Sequence, residues 1–322
     1  MITVDILMAT YNGEKYLVKQ LDSLLAQTYS DFRLIICDDG STDKTLDILK
    51  AYEQKDKRIK VLKNEINLGY NRNFEKLISL STANYFAICD QDDVWYDNQL
   101  QVLVHEMLRK DVDIVYGKSN YINEAGDQIK YREYVKPLKL THSSQLFDDN
   151  IVPGRNMLVN HRLKEYILPF PNLSRQFIYD WYIALVALQN NGIVYCDEVI
   201  NTYRVHQSSV TNTDIYQSVK GQPFRQKLLN IEAMRVAAIE HRLNRIERYK
   251  TFIQDKQALK QYESYVNTLK RTKYINLNFK AFTNYMKIRT LYYKGIFLLI
   301  FHFPILYRFL ILNQLKLSRG EQ

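Results

Sequence analysis

The first 115 residues alternate between short apolar runs and amphipathic stretches, and this alternation constrains the fold more than any other feature. The apolar runs have strand length and lie at residues 3–9, 32–37, 59–62, 85–89 and 112–116. The stretches between them are residues 14–27, 42–54, 70–80 and 97–110. These stretches carry apolar residues at helical spacing, such as Leu17, Leu21 and Leu24. Because strands that alternate with helices are joined by crossovers, the pattern predicts an α/β domain with a mostly parallel sheet flanked by helices.

Charge divides the chain into two parts. Residues 1–214 contain 24 Lys and Arg against 29 Asp and Glu, whereas residues 215–322 contain 20 against 6. The net charge of +9 therefore combines an acidic part of −5 with a basic part of +14. Apolar residues continue at helical spacing beyond residue 214, so we predict an α/β domain over 1–214 and a basic helical extension over 215–322.

The basic extension contains an almost wholly apolar stretch of 18 residues, at positions 295–312. This length is near the lower limit for crossing a bilayer, and Arg308 inside it is costly in hydrocarbon. We therefore favour a helix that lies in the plane of an anionic membrane surface over a transmembrane helix. A helix packed in the core of the domain is a further alternative. Nucleic acid is disfavoured as a partner, because binding phosphates does not require a long apolar helix.

The cysteines and the N-terminus indicate the cellular compartment. Cys37, Cys89 and Cys196 lack paired spacing, and two of them lie in apolar runs, which predicts buried free thiols and a reducing cytoplasm. The chain enters a predicted strand directly, without the pattern of a signal peptide. We expect a cytoplasmic protein that is peripheral on the inner face of the plasma membrane.

Polar clusters follow three of the predicted strands. They read Ala-Thr-Tyr-Asn-Gly at residues 9–13, Asp-Asp-Gly-Ser-Thr-Asp at 38–43 and Cys-Asp-Gln-Asp-Asp-Val-Trp at 89–95. In parallel sheets ligands bind beyond the carboxyl ends of the strands, so these clusters form a candidate ligand site. Taken singly, the first two also fit ordinary turns that cap the following helix.

The third cluster places three carboxylates, Asp90, Asp92 and Asp93, within four positions. Like charges this close repel one another, and their burial is costly unless a cation neutralises them. Mg²⁺ and Mn²⁺ take oxygen ligands, typically one or two carboxylates together with substrate phosphates. The cluster therefore predicts Mg²⁺ or Mn²⁺ that holds a diphosphate and stabilises the charge on a leaving phosphate.

Together with Asn-Leu-Gly-Tyr-Asn-Arg-Asn at residues 67–73, these motifs resemble the family 2 inverting glycosyltransferases of the GT-A fold. The form of residues 89–95 is similar to bacterial rhamnosyltransferases that build cell-wall and capsular polysaccharides. The resemblance covers residues 1 to about 212. It implies transfer of a sugar from a nucleotide-sugar donor, preferably dTDP-rhamnose, to a lipid-linked or polysaccharide acceptor.

The resemblance also implies roles for individual residues. The nucleotide-sugar site is assigned to Thr10, Tyr11, Glu14, Asp39, Asn73, Asp90, Gln91 and Arg204. In this set, Asp90 is placed near the ribose. Asp92, which is not in the set, is assigned to the metal ion. Arg72 either reaches the diphosphate or stays on an exposed helix face.

Two further segments carry roles by resemblance. Asp180 matches the general base that takes the proton from the acceptor hydroxyl, although relatives often have His where this chain has Tyr179. Read locally, Asp180 also fits an acid that interacts favourably with a helix dipole. The segment around Arg204 and His206 is similar to one that closes the donor site, with His206 assigned to the metal or the phosphates. The alternative there is a strand with Arg204 exposed and His206 packed at its end.

Two other functions stay open at this stage. One is a UDP-hexose-dependent transferase of the same fold. The other is a non-catalytic nucleotide-binding scaffold subunit of a polysaccharide-synthesising complex.

Overall fold

A computed structural model describes residues 2–129, 140, 146, 150–173, 178–206, 250, 259–260, 262–264 and 266–267. The chain divides into two units, residues 1–209 and 210–322. The apolar stretch at 295–312 and nearly all of the predicted extension lie outside the described residues. Within the described ranges, every helix is too short or too polar to cross a bilayer. The boundary at residue 214 and the membrane association stay predictions.

In the described residues, eight strands form one sheet in the order β3-β2-β1-β4-β7-β6-β8-β5. The strands are β1 (Val4–Thr10), β2 (Phe32–Asp38), β3 (Ile59–Lys63), β4 (Tyr85–Cys89), β5 (Val94–Trp95), β6 (Ile114–Ile122), β7 (Met157–Asn160) and β8 (Ile193–Arg204). Strands β1 to β4 are parallel, β7 is antiparallel to β4 and β6, β8 is parallel to β6, and β5 is antiparallel to β8. The α/β prediction is confirmed, with a parallel half and a mixed half.

Helices cover the sheet, and the four that the helical spacing predicts are amphipathic. They are α1 (Leu17–Leu25), α2 (Thr45–Lys55), α3 (Tyr70–Leu80), α4 (Gln99–Lys110), α5 (Lys164–Ile167) and α6 (Tyr179–Gln189), with 3₁₀ turns at Gly154–Asn156 and His161–Leu163. Leu17, Leu21 and Leu24 of α1 are fully buried in a core that includes Ile6 and Met8 of β1. Burial of such side chains contributes about 2 kcal/mol each, and it fixes α1 directly after the first strand-end motif.

The bounds of α3 and β4 agree with the predicted ranges 70–80 and 85–89. The three cysteines are buried and free, as predicted. In contrast, β6 runs well past the predicted range 112–116, and its partner β8 extends over 12 residues. Strand β5 has no predicted counterpart. The added parts pair residues such as Ser119 with Asn201, which lack the apolar pattern on which the prediction depended.

Candidate active site

The loops that follow β1 and β2 are joined by hydrogen bonds at the carboxyl edge of the sheet. The Thr10 hydroxyl donates to Asp38 Oδ1 at 3.1 Å, and the Asp39 N–H donates to the Thr10 carbonyl at 2.8 Å. The Asn12 N–H donates to the Ser41 hydroxyl at 2.9 Å. Parallel pairing of the two strands brings these loops together, so residues 9–13 and 38–43 form one surface.

The Gln91 side chain connects the loop after β4 to the loop after β1. Its Oε1 accepts the Tyr11 N–H at 2.9 Å, and its Nε2 donates to the Tyr11 carbonyl at 3.0 Å. The amide thus pairs with the Tyr11 backbone as a neighbouring strand would. The Tyr11 ring stays 49% exposed, which leaves it accessible to a ligand.

Glu14 accepts a hydrogen bond from the Lys44 N–H at 2.9 Å, directly before α2. A carboxylate at this position satisfies one of the free N–H groups at the helix start and interacts favourably with the helix dipole. The structure therefore gives Glu14 a contact within the protein, and its assignment to the nucleotide-sugar site stays a prediction.

Asp39 and Asn73 belong to a buried polar network around Asn64. Asp39 accepts hydrogen bonds from Asn64 Nδ2 at 2.7 Å and from the N–H groups of Leu68 and Gly69 at 2.8 Å each. Asn73 donates to the Cys37 carbonyl at 2.9 Å and accepts from Asn64 at 3.2 Å. These bonds fix the loop between β3 and α3. The base contacts predicted for Asp39 and Asn73 stay predictions.

Asp92 and His206 meet at the rim of this edge. His206 Nε2 lies 3.0 Å from Asp92 Oδ2, and the His206 ring packs 5.2 Å from the Tyr16 ring, between centroids. The two residues are 114 positions apart in the chain and are brought together because β8 ends beside the loop after β4. The structure thus places the two predicted metal ligands side by side.

These two residues offer a divalent cation one carboxylate and one imidazole. Among the described residues there is no group of three His, Cys, Asp or Glu side chains that could hold an ion alone. Mg²⁺ and Mn²⁺ in phosphate-transfer sites commonly take only one or two protein ligands and complete their shell with phosphate oxygens and water. The pair therefore fits an ion that binds together with a diphosphate.

The other two acids of this loop are buried to different extents. Asp90 is partly buried, and this burial, with a smaller contribution from the Asp92 charge, raises the pKa of Asp90 to about 7. Asp93 is fully buried, which raises its pKa well above the usual range, and its Oδ1 accepts the Arg204 N–H at 3.0 Å. This hydrogen bond fixes the loop after β4 against β8.

Arg204 lies beneath the same loop and is only 2% exposed, so the alternative of an exposed strand arginine is wrong. Its Nε donates to the Asp92 carbonyl at 2.9 Å, and its Nη1 donates to the Asn123 and Glu124 carbonyls at 3.2 and 3.3 Å. These three hydrogen bonds join the loop after β4 to the turn after β6. The predicted contact of Arg204 with the diphosphate stays a prediction.

Asp180 stands in the first turn of α6 and is 6% exposed. Its Oδ2 accepts the Gly154 N–H at 2.9 Å and its Oδ1 accepts the Trp181 N–H at 2.7 Å. Burial, partly offset by these two bonds, raises the pKa of Asp180 to about 6. The Asp180 charge in turn contributes to the raised pKa of Asp90, so the candidate base acts electrostatically on the acidic loop of residues 90–93.

By resemblance, residues 154–158 fall where relatives shape the acceptor site, which stays a prediction, and Asn64 has no predicted role. The Arg155 guanidinium lies 3.9 Å above the Tyr203 ring, and its Nε is 3.9 Å from Asp93 Oδ2. Asn64 forms the centre of the network around Asp39. Neither residue is part of a periodic pattern or an acidic cluster, so the sequence does not indicate the contacts that they make. Arg72, by contrast, pairs with Glu75 and donates to the Phe170 carbonyl at 3.2 Å.

Known proteins with the same architecture define the class. Staphylococcus aureus TarS residues 1–349, solved with UDP-GlcNAc, superposes with a TM-score of 0.58 at 17% identity, covering 91% of this chain and 92% of that one. The mannosyltransferase PcManGT of Pyrobaculum calidifontis, solved with GDP-Man and Mn²⁺, gives 0.57 at 15% identity, with coverages of 99% and 88%. At these identities the likeness concerns the fold, which is that of the GT-A glycosyltransferases.

The sequence then identifies the family. Residues 5–167, about half of the chain, match the model of Glycosyl transferase family 2, and this chain belongs to that family. The Escherichia coli UDP-Glc:α-D-GlcNAc-diphosphoundecaprenol β-1,3-glucosyltransferase WfgD is 30% identical over 211 residues, covering 65% of this chain and 79% of WfgD. A second E. coli glucosyltransferase of the same description, WfaP, is 29% identical over 209 residues, with the same coverages.

Gly13 and Gln91 provide a test of how the loops after β1 and β4 are joined. A Cβ on Gly13 would lie 2.3 Å from Gln91 Oε1, so Gly13→Ala must displace the Gln91 amide and break both bonds to Tyr11. We expect Gly13→Ala and Gln91→Ala each to lower the free energy of unfolding by about 2 kcal/mol, measured by urea denaturation.

The two changes are expected to be non-additive, because each removes the same bonds. In the Gln91→Ala background, Gly13→Ala then costs little. If Gly13→Ala lowers the free energy of unfolding equally in both backgrounds, Gln91 does not join the two loops in this way. Asp197→Asn, an exposed position whose side chain is 78% accessible, serves as a control that leaves stability nearly unchanged.

Proposed function

We propose that this glycosyltransferase transfers a hexose from a nucleotide-sugar donor to a lipid-linked acceptor, inverts the anomeric configuration, and uses Asp180 as its general base. The observation that carries the proposal is Asp180 itself: a buried carboxylate beside the acidic loop, with a pKa raised to about 6 by burial. A general base works best when its pKa lies near the operating pH, since it is then ionised and still a competent proton acceptor.

In this mechanism Asp180 accepts the proton of the acceptor hydroxyl while that oxygen attacks the anomeric carbon from the face opposite the leaving diphosphate. Backbone N–H groups of Gly154 and Trp181 hold the carboxylate in place. Tyr11 offers its half-exposed ring to the nucleotide base. A divalent cation held by Asp92 and His206 supplies charge stabilisation for the leaving group when bound.

For the donor we propose UDP-glucose. WfgD and WfaP, which carry UDP-Glc in their names, are 30% and 29% identical to this chain. The same names describe a diphosphoundecaprenol acceptor, which supports a polyprenyl-diphosphate sugar as the acceptor here. dTDP-rhamnose, predicted from the form of residues 89–95, has no support among these relatives and remains the competing donor.

Replacing Asp180 tests the base. Asp180→Asn keeps size and polarity but cannot accept the proton, so we expect the transfer rate to fall by about 10²- to 10⁴-fold with little change in donor KM. In the wild type, protonation inactivates the base, so kcat/KM is expected to fall as the pH drops below about 6. Initial rates with radiolabelled donor between pH 5 and 8.5 measure both effects.

Asp197→Asn is the matched control, because Asp197 is an exposed carboxylate outside the site. Wild-type turnover by Asp180→Asn rejects Asp180 as the base. A wild-type protein that neither transfers nor hydrolyses any donor favours the scaffold alternative instead.

A donor panel tests the substrate. Purified protein is incubated with UDP-glucose, UDP-galactose, UDP-GlcNAc and dTDP-rhamnose, a polyprenyl-diphosphate GlcNAc acceptor, and Mn²⁺ or Mg²⁺. We expect turnover of UDP-glucose, its loss in EDTA and its return when the ion is restored. Product analysis by mass spectrometry and NMR gives the sugar and the anomeric configuration. Turnover of dTDP-rhamnose but not of UDP-glucose overturns the proposed donor, and a retained configuration overturns the inverting mechanism.

We also propose that the basic extension holds the enzyme on the inner face of the plasma membrane. The support is its charge of +14 over residues 215–322 and the apolar stretch at 295–312. Cationic residues around an apolar helix favour binding to anionic lipid headgroups.

Removal of residues 287–322 tests this anchor. We expect the full chain to sediment with vesicles of phosphatidylglycerol and phosphatidylcholine but not with pure phosphatidylcholine, and the truncated chain to stay in the supernatant. Raised salt is expected to weaken the binding, because it screens the headgroup charge. Equal sedimentation of both chains contradicts the proposal.

A further inference from the structure

The 3₁₀ turn Gly154–Asn156 connects the candidate base to the acidic loop. On one side, the Gly154 N–H donates to Asp180 Oδ2 at 2.9 Å. On the other side, Arg155 extends toward Asp93. The turn is held firmly, because Asn156 donates to the Gly117 carbonyl and accepts from Asn201, both at 2.9 Å. A displacement of this turn therefore moves both halves of the site.

Arg155 faces the acids as a charge and not through a hydrogen bond to them. Its Nε is 3.9 Å from Asp93 Oδ2, which is within ion-pair range and beyond hydrogen-bond range. Both atoms are buried, and neither has a hydrogen-bond partner among the described residues. The guanidinium is supported from behind by the Tyr203 ring, 3.9 Å away. A cation held in this way stabilises several nearby carboxylates at once.

The Arg155 charge also acts on Asp180 across this turn. Burial is the largest influence on Asp180 and raises its pKa, while the Arg155 charge lowers it. The other groups around Asp180 are the Gly154 and Trp181 N–H donors and the Asn150 side chain, which also favour the carboxylate. Asp90, in the loop after β4, and the Tyr179 hydroxyl, on α6, also interact with Asp180.

We propose that Arg155 is a positioning residue of the transfer reaction, whose positive charge compensates Asp93 and Asp180 together and so holds the base beside the acids of the donor site. The inference deepens the proposed function, since it rests on Asp180 being the base. Without this charge, the two buried acids have backbone N–H groups as their principal compensation, and the turn between them loses its ionic contact with Asp93.

A thermal-denaturation cycle tests the charge pairing without any activity measurement. It compares the wild type, Arg155→Gln, Asp180→Asn and the double variant at pH 8, where Asp180 is ionised, and at pH 5, where it is protonated. If the two charges attract, the Tm loss caused by Arg155→Gln at pH 8 is about 2–4 °C smaller in the Asp180→Asn background. At pH 5 this difference is expected to disappear. Additive Tm losses at both pH values overturn the pairing.

The pH profile of transfer tests the consequence for the base. We expect Arg155→Gln to move the acid limb of kcat/KM upward by about one pH unit, because loss of a nearby cation disfavours the carboxylate. Arg155→Lys, which keeps the charge, is expected to restore the wild-type limb. Arg109→Gln removes an exposed arginine that pairs with Glu106 on α4, and serves as the matched control.

The two proposals fail in distinguishable ways. An unmoved acid limb in Arg155→Gln, or a limb that moves equally in Arg155→Lys, shows that Arg155 acts only by packing and overturns the inference. A wild-type protein with no transfer activity rejects the proposed function, while the Tm cycle still decides whether Arg155 and Asp180 are coupled. If Arg155→Gln cannot be purified, the cycle is run with Arg155→Lys against Arg155→Met.

Discussion

The site depends on one constraint: four partly or fully buried carboxylates must be held at one edge of the sheet despite their mutual repulsion. They are Asp90, Asp92, Asp93 and Asp180. Such repulsion is unfavourable by several kcal/mol in a protein interior unless something compensates it. Here the compensation is distributed. Asp180 accepts a hydrogen bond from the Gly154 N–H, and Asp93 accepts one from the Arg204 N–H of β8. Asp92 contacts His206, and the Arg155 charge lies beside Asp93. Each element of the surrounding fold supplies one part of this balance.

The same polar side chains that a ligand needs also hold the loops in shape. Asp39 accepts three hydrogen bonds from the loop before α3, and Arg204 donates to three carbonyls around the acidic loop. A buried polar group is costly when unsatisfied, so most of these groups form hydrogen bonds within the protein. Arg155 Nε and Asp93 Oδ2, which face each other at 3.9 Å, are an exception. Preorganisation by hydrogen bonds keeps Gln91 locked to Tyr11 while the Tyr11 ring stays accessible.

Sequence periodicity was sufficient for the parallel half of the fold, where apolar runs and amphipathic helices alternate, and α3 and β4 were predicted to the residue. It also placed the strand-end motifs on one edge, because parallel strands end together. Periodicity did not predict the full extent of the strands in the mixed half of the sheet, because β6 and β8 pair through polar stretches whose partners lie about 80 residues away. Arg155 and the burial of Arg204 depend entirely on such long-range pairing, and no local pattern indicates them.

The strength of Asp180 as a base is set by opposing influences that the fold can adjust separately. Burial alone favours the protonated acid, which accepts no proton, whereas several N–H donors alone make a carboxylate too weak a base. The pKa of Asp180, about 6, lies between these limits. One of the two backbone N–H donors comes from Gly154, where a Cβ would lie 2.8 Å from the Tyr179 hydroxyl. A side chain there would push the turn away from α6, lengthen the bond to Asp180 and shift the balance toward the protonated form. The absence of one methyl group is therefore part of what keeps the carboxylate available.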